Sequence, residues 1–189
     1  MRASLYLLAG LSLVTPLRAQ QPIPSGTVRE ATLSFDGHAT VGDFVGTTTT
    51  VTGEMTGGPT LSDVRGWVEA PVATLKTGNG HRDRDMNKSM ESDQYPNLRF
   101  ELTEVVPSSQ ASDSLDAVLR GQMMIHGVTR QVEIPASLVF QGDAVRVRGT
   151  LPLNLKDYKI GGLSKMLGVL KMHEDIEVHL DVTFGYSKQ

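Results

Sequence analysis

From Thr27 onward, hydrophobic and polar residues alternate with a period of two rather than 3.6. Ile176, Val178, Leu180, Val182 and Phe184 interleave with Glu177, His179, Asp181 and Thr183, the pattern of a strand with one dry and one wet face. Leu98, Phe100 and Leu102 stand against Arg99, Glu101 and Thr103 in the same way. Val132, Ile134, Ala136, Leu138 and Phe140 form another such row, as do Val145, Val147, Gly149 and Leu151. Leu119, Gly121, Met123 and Ile125 make a further one; Ala31, Leu33, Phe35 and the run Val64 to Leu75 are weaker examples. Asp36-Gly37, Gly57-Gly58-Pro59, His126-Gly127 and Gln141-Gly142-Asp143 have the composition of corners, and His126-Gly127 predicts a tight hairpin. The runs add up to about eight strands joined mostly by short turns. Strands that share one dry face avoid exposed edges by closing on themselves. The expected fold is therefore all-β, an eight-stranded antiparallel barrel with one or two short helices in its connections.

Two segments interrupt the alternation. Arg82 to Glu91 carries good helix formers with Met86 and Met90 four apart, which predicts a short helix. Leu155 to Met172 places Ile160, Leu163, Met166, Leu167 and Leu170 at spacings of three or four among Lys156, Lys159, Lys165 and Lys171. Its glycines weaken a helix, so a turn or two within a long loop is expected. The N-terminus reads differently again. Arg2 precedes an uncharged apolar run from Leu5 to Val14, about half the ~20 residues a membrane-spanning helix needs, and Ala19 precedes a plausible cleavage point. Residues 1–19 are thus expected to be a signal peptide, and 20–189 a single exported barrel domain.

Composition narrows the chemistry. At 189 residues the chain suits one domain. A net charge of -3 argues against a nucleic-acid binder. The absence of cysteine removes disulfides, thiolate zinc sites and a cysteine nucleophile. The five histidines lie far apart in sequence without ligand spacing, so no metal site is expected. Gly162-Leu163-Ser164-Lys165 lacks the nucleophile elbow, and Gly78-Asn79-Gly80 lacks the residues of a phosphate loop. Arg82-Asp83-Arg84-Asp85 reads as solvated ion pairs on a helix. No enzyme and no resident cofactor are expected.

An eight-stranded barrel holds either a packed interior or one small ligand. Small residues on the inward rows (Gly66, Ala70, Gly121, Ala136, Gly149) and an aromatic content of 5% leave room for an apolar guest. The competing reading is a filled core whose outer face docks an envelope partner.

Several stretches resemble the YceI-like family. Thr77-Gly78-Asn79, Arg82-Asp83, Asp85-Met86, then Tyr95-Pro96 with Phe100 are similar to its central signature. Gly121 with Ile125-His126-Gly127-Val128-Thr129 resembles its hairpin, His38 with Gly42 and Phe44 its early element, and Asp157-Tyr158 with Ile160 its late stretch. The likeness runs from about Thr27 to Phe184. It implies a lipocalin-like periplasmic barrel that holds a long polyisoprenoid, of quinone or polyprenyl type, for transport or storage, with some members tied to stress responses. It implies no catalytic residues. Lys159 stands where the family often has glycine, and Lys156 where it often has arginine.

On this reading, Leu33, Phe35, Val68, Val72, Phe100, Leu102, Met123, Ile134, Leu138, Val147, Leu151, Val178 and Leu180 line the cavity. His38, Arg82, Asp85, Asp157 and Tyr158 face the headgroup at its mouth. The expected partner is an isoprenoid lipid, with transient membrane-surface contact through the lysine-rich Lys156–Lys171 segment or, alternatively, that segment as a solvated barrel cap. A homodimer is compatible with the sequence.

Overall fold

The computed structural model of the chain describes residues 22–40, 42–111, 114–161, 164–165 and 170–187. The expected signal peptide lies outside them. Eleven strands and one α-helix follow in order: β1 Gly26–Gly37, β2 Phe44–Thr48, β3 Thr52–Thr56, β4 Arg65–Pro71, α1 Gly80–Ser89, β5 Asn97–Gln110, β6 Ser114–Ile125, β7 Val128–Gln141, β8 Ala144–Asn154, β9 Ser164–Lys165, β10 Leu170–Lys171 and β11 Asp175–Tyr186. Every pairing is antiparallel, and the main sheet runs β11-β8-β7-β6-β5-β4-β3-β1-β2 with β11 also paired to β1. That last ladder closes the sheet into an eight-stave barrel.

One stave is broken in two. β3 pairs with the start of β1 (Gly26 opposite Met55) and β2 with its end (Leu33 opposite Thr48), in one continuous register. Between them Thr48 turns inward, its Oγ1 accepting from the Thr50 N–H at 3.0 Å and meeting Thr74 Oγ1 at 2.8 Å.

The local chemistry of the corners explains most connections. His126 and Gly127 both have positive φ (51° and 70°), the mirror-image turn whose twist matches a two-residue hairpin. Asp36-Gly37 is not a corner. Both residues lie in β1, opposite Val45 and Phe44, and Gly37 is glycine because the Phe44 ring lies where a Cβ would stand, 2.5 Å from it. The expected helix after β4 is present as α1, two residues earlier than the sequence suggests. The Leu155–Met172 stretch differs from expectation. Among its described residues the helical part is a single 3-10 turn at Leu155–Tyr158, followed by the two-residue strands β9 and β10 paired with each other, while Leu163, Met166 and Leu167 lie outside the described residues. Asn154 starts that turn by accepting the Lys156 N–H, and Lys159 ends it with φ 57°, a left-handed residue.

A clasp joins three connections at one end of the barrel. The Tyr95 and His126 rings meet edge to face, 4.8 Å apart, and His126 Nδ1 lies 3.0 Å from the Tyr158 carbonyl. Arg130 adds to it, donating to the Asp157 carbonyl at 2.8 Å. Gly127 sits beneath Tyr95, and an added Cβ would lie 2.5 Å from Tyr95 Cε1. Substituting Gly127→Ala combines that clash with a disfavoured left-handed backbone, so a loss of about 1–3 kcal/mol is expected. Urea denaturation reads it as a lower midpoint at unchanged slope.

Candidate functional site

The barrel is filled at one end and hollow at the other. Leu115, Leu138, Val147, Val182 and Ala31 stand opposite one another in a single row across β6, β7, β8, β11 and β1. All five are buried, and with Val105, Val145 and Phe184 they plug the barrel. The next row, Ala117, Ala136, Gly149, Leu180 and Leu33, has small residues on β6, β7 and β8 where the first has Leu115, Leu138 and Val147. Gly149, Leu180 and Leu33 of this row already line an open space. Burial along β11 shows the same boundary: Ile176, Val178 and Leu180 point inward yet remain half-buried, while Val182 and Phe184 are buried.

The hollow has a volume of about 410 Å³ and walls that are almost wholly apolar. Protein interiors pack with few voids larger than a water molecule, so a space of this size is a ligand-scale cavity. Leu33, Phe35, Val68, Phe100, Met123, Ile134, Leu151, Val178 and Leu180, expected on the lining, are on it. Leu138, Val147, Val72 and Leu102 are not among its lining residues. The first two belong to the plug row, and Val72 is fully buried in the 3-10 turn after β4. Leu102 pairs with Gly121 and Gly66.

Small residues do not all make space. Gly121 lies against the Glu101 carbonyl and the Phe100 ring (2.2 and 2.6 Å from a would-be Cβ), and Gly66 against the Glu54 carbonyl. Those glycines permit close backbone approach, whereas Ala70 and Gly149 border the hollow. Sequence reasoning missed a second set of walls. Leu98, Ile125, Leu153 and Ile176 extend the strand rows, while Val51, Leu75, Met86, Met90, Leu155, Ile160 and Met172 come from connections and α1. Met86 and Met90 were legible as the apolar face of the helix, but not where that face pointed.

At the mouth, Arg82 and Asp85 border the hollow together with His81, Asn79, Phe44 and Lys171. The Arg82 guanidinium stacks 4.0 Å from the Phe44 ring centroid, and its Nε donates to Thr77 Oγ1 at 3.0 Å. His38, Asp157 and Tyr158 lie elsewhere. His38 is exposed, with Nδ1 2.8 Å from Asp43 Oδ1, and this carboxylate holds its pKa above the ordinary imidazole value. Asp157 pairs with Arg130 at 3.3 Å, and Tyr158 is buried in the clasp, where burial pushes its phenol up. Of the four segment lysines, Lys156 and Lys171 reach Glu174 at 2.7 and 4.0 Å, so part of the cationic face is neutralised.

Outside the barrel, His179 Nε2 lies 3.0 Å from Asp36 Oδ2 and 3.5 Å from Glu177 Oε1. Among the described residues this is the one trio whose ligand atoms approach closely enough for a cation. All three are partly exposed.

Residues 27–184 match the family model for the YceI-like domain. The chain belongs to the YceI-like family. No curated protein matches it. Among solved structures it is similar to a polyisoprenoid binding domain from Saccharophagus degradans implicated in plant cell wall breakdown (13% identity, TM-score 0.72, 87% of this chain and 100% of that one). It is also similar to BcnA of Burkholderia cenocepacia (12%, 0.68, 81% and 95%). A Campylobacter jejuni YceI protein aligns at 15% identity and TM-score 0.53 over 66% of this chain and 73% of that one. At these identities the likeness is one of fold.

The YceI-like signature can now be read physically. Its first half starts α1: Asn79 Oδ1 accepts from the His81 and Arg82 N–H groups at 3.0 and 3.2 Å. Thr77 donates to Asp83 Oδ1 from its N–H (2.9 Å) and its hydroxyl (2.7 Å). Its second half, Tyr95, belongs to the clasp. These residues fix the helix that forms one side of the mouth. Lys159 sits at the left-handed end of the 3-10 turn, a position that favours glycine for its backbone.

Within Arg82-Asp83-Arg84-Asp85, the Asp83 carboxyl and the Arg82 guanidinium both turn to Thr77. The Thr77 hydroxyl, followed by its N–H, holds the Asp83 carboxyl below the ordinary carboxylate range. A depressed native pKa means stability that is present above the unfolded value, about 3.9, and lost as pH falls through the native one. Asp83→Ala is expected to be less stable than the parent at pH 7, with the gap shrinking below about pH 4. Urea titrations at pH 7 and pH 3 measure both.

Proposed function

We propose that this YceI-like barrel binds an isoprenoid lipid in its hollow half, as an exported carrier or store. The observation that carries the reading is the half-filled interior, an almost wholly apolar cavity of about 410 Å³ above a packed floor, with Arg82 and Asp85 of α1 on its border. Aliphatic and methionine walls favour a hydrocarbon, and each methylene removed from water contributes ~0.8 kcal/mol. Arg82 and Asp85 stand where a headgroup would emerge. The polyisoprenoid-binding description of the Saccharophagus degradans domain supports the same ligand class. Export rests on Arg2 and the apolar run Leu5 to Val14, and a periplasmic destination on the family resemblance.

A lipid-binding role of this kind needs no nucleophile, base or oxyanion donors. An interaction protein with a wholly filled core is disfavoured by the hollow. The test is calorimetric binding of farnesol, a three-unit isoprenoid alcohol, to the parent and to Ala70→Phe and Val178→Phe. Both substitutions place a ring in the hollow, so at least a tenfold loss of affinity is expected, with stability held or raised. A loss of about 1–3 kcal/mol in stability with farnesol affinity unchanged would mean an overpacked core and no ligand site.

A further inference from the structure

The plug row sets a depth. We infer that the floor formed by Leu138, Val147 and Val182 is a chain-length stop, and that the hollow admits about three isoprene units of its ligand. The inference rests on the lipid-binding reading above and adds a limit to it. Three observations converge. The floor residues stand opposite one another in register across β7, β8 and β11 and belong to the buried core cluster. Each of the three is buried, and none borders the hollow. The hollow itself measures about 410 Å³. At roughly 30 Å³ for a water-sized group, which is also about the size of a methylene, it accommodates on the order of 14 carbons.

Three isoprene units carry 15 carbons, which matches. A fourth unit finds the floor ahead of it and the mouth behind, where Arg82, His81 and Lys171 stand. It stays in water and adds no burial, so chains beyond three units bind no tighter than farnesol. Leu180 and Leu33 form the step directly above the floor, on the row whose β7 and β8 positions are Ala136 and Gly149. Enlarging either residue shortens the hollow from below without disturbing the packed row.

The experiment is a calorimetric series on the full chain with geraniol, farnesol, geranylgeraniol and the five-unit alcohol. Affinity is expected to rise at least tenfold from two units to three, then to change by less than about threefold at four and five, because only buried methylenes contribute. In Leu180→Phe the plateau is expected to begin at two units. In Leu138→Ala, which opens the floor, it is expected to move to four. Should Leu138→Ala fail to fold, the Leu180→Phe series carries the test alone. A continued rise of tenfold per unit through five units overturns the stop while leaving lipid binding intact. A three-unit plateau that Leu180→Phe does not move overturns the assignment of the floor. Failure of every alcohol to bind the parent removes the lipid-binding reading and this inference together.

Discussion

Ring closure through the β1–β11 ladder is the constraint on which everything else depends. Ten opposed pairs from Gly26–Tyr186 to Asp36–Glu177 join the first and last long strands, which leaves no long edge on the barrel at that seam to aggregate. Closure also forces the inward side chains of all staves to share one interior. What that interior contains then depends on which residues stand opposite one another on neighbouring staves, a property of register and not of any one strand.

The pairing rows are where this protein makes its distinction. Large aliphatics coincide in the Leu115–Leu138–Val147–Val182–Ala31 row, and burying each Leu or Val there contributes about 1.5–3 kcal/mol. One step up, Ala136 and Gly149 coincide instead. The barrel therefore has a stable half that does not need a ligand and an open half that can accept one. The clasp of Tyr95, His126 and Tyr158 and the Thr77–Asp83 start of α1 sit at the open half. They hold in place the elements that carry Met86, Met90, Leu155 and Ile160 on the cavity wall.

The architecture was legible because period two states directly which residues point inward, and β11 was readable almost residue by residue. The filled and hollow halves were not, since Val147 and Leu151 have the same alternation and differ only in what stands opposite. For the same reason Gly121 and Gly149 look alike in sequence, although one lies under Phe100 and the other borders the hollow. Walls from α1 and the connections escaped because no period places them. Asp157 and Tyr158 were expected at the mouth on resemblance alone; their contacts with Arg130 and His126 show a structural use for the same residues. Arg82 was placed at the mouth by its position in the signature, and its stacking on Phe44 gives that placement a physical basis.

Native mass spectrometry of the purified full-length protein, before and after extraction with organic solvent, addresses the hollow most directly. The account predicts a bound apolar mass that extraction removes, leaving folded protein that regains mass when farnesol is added. Folded protein that carries no lipid and gains none on addition would contradict it.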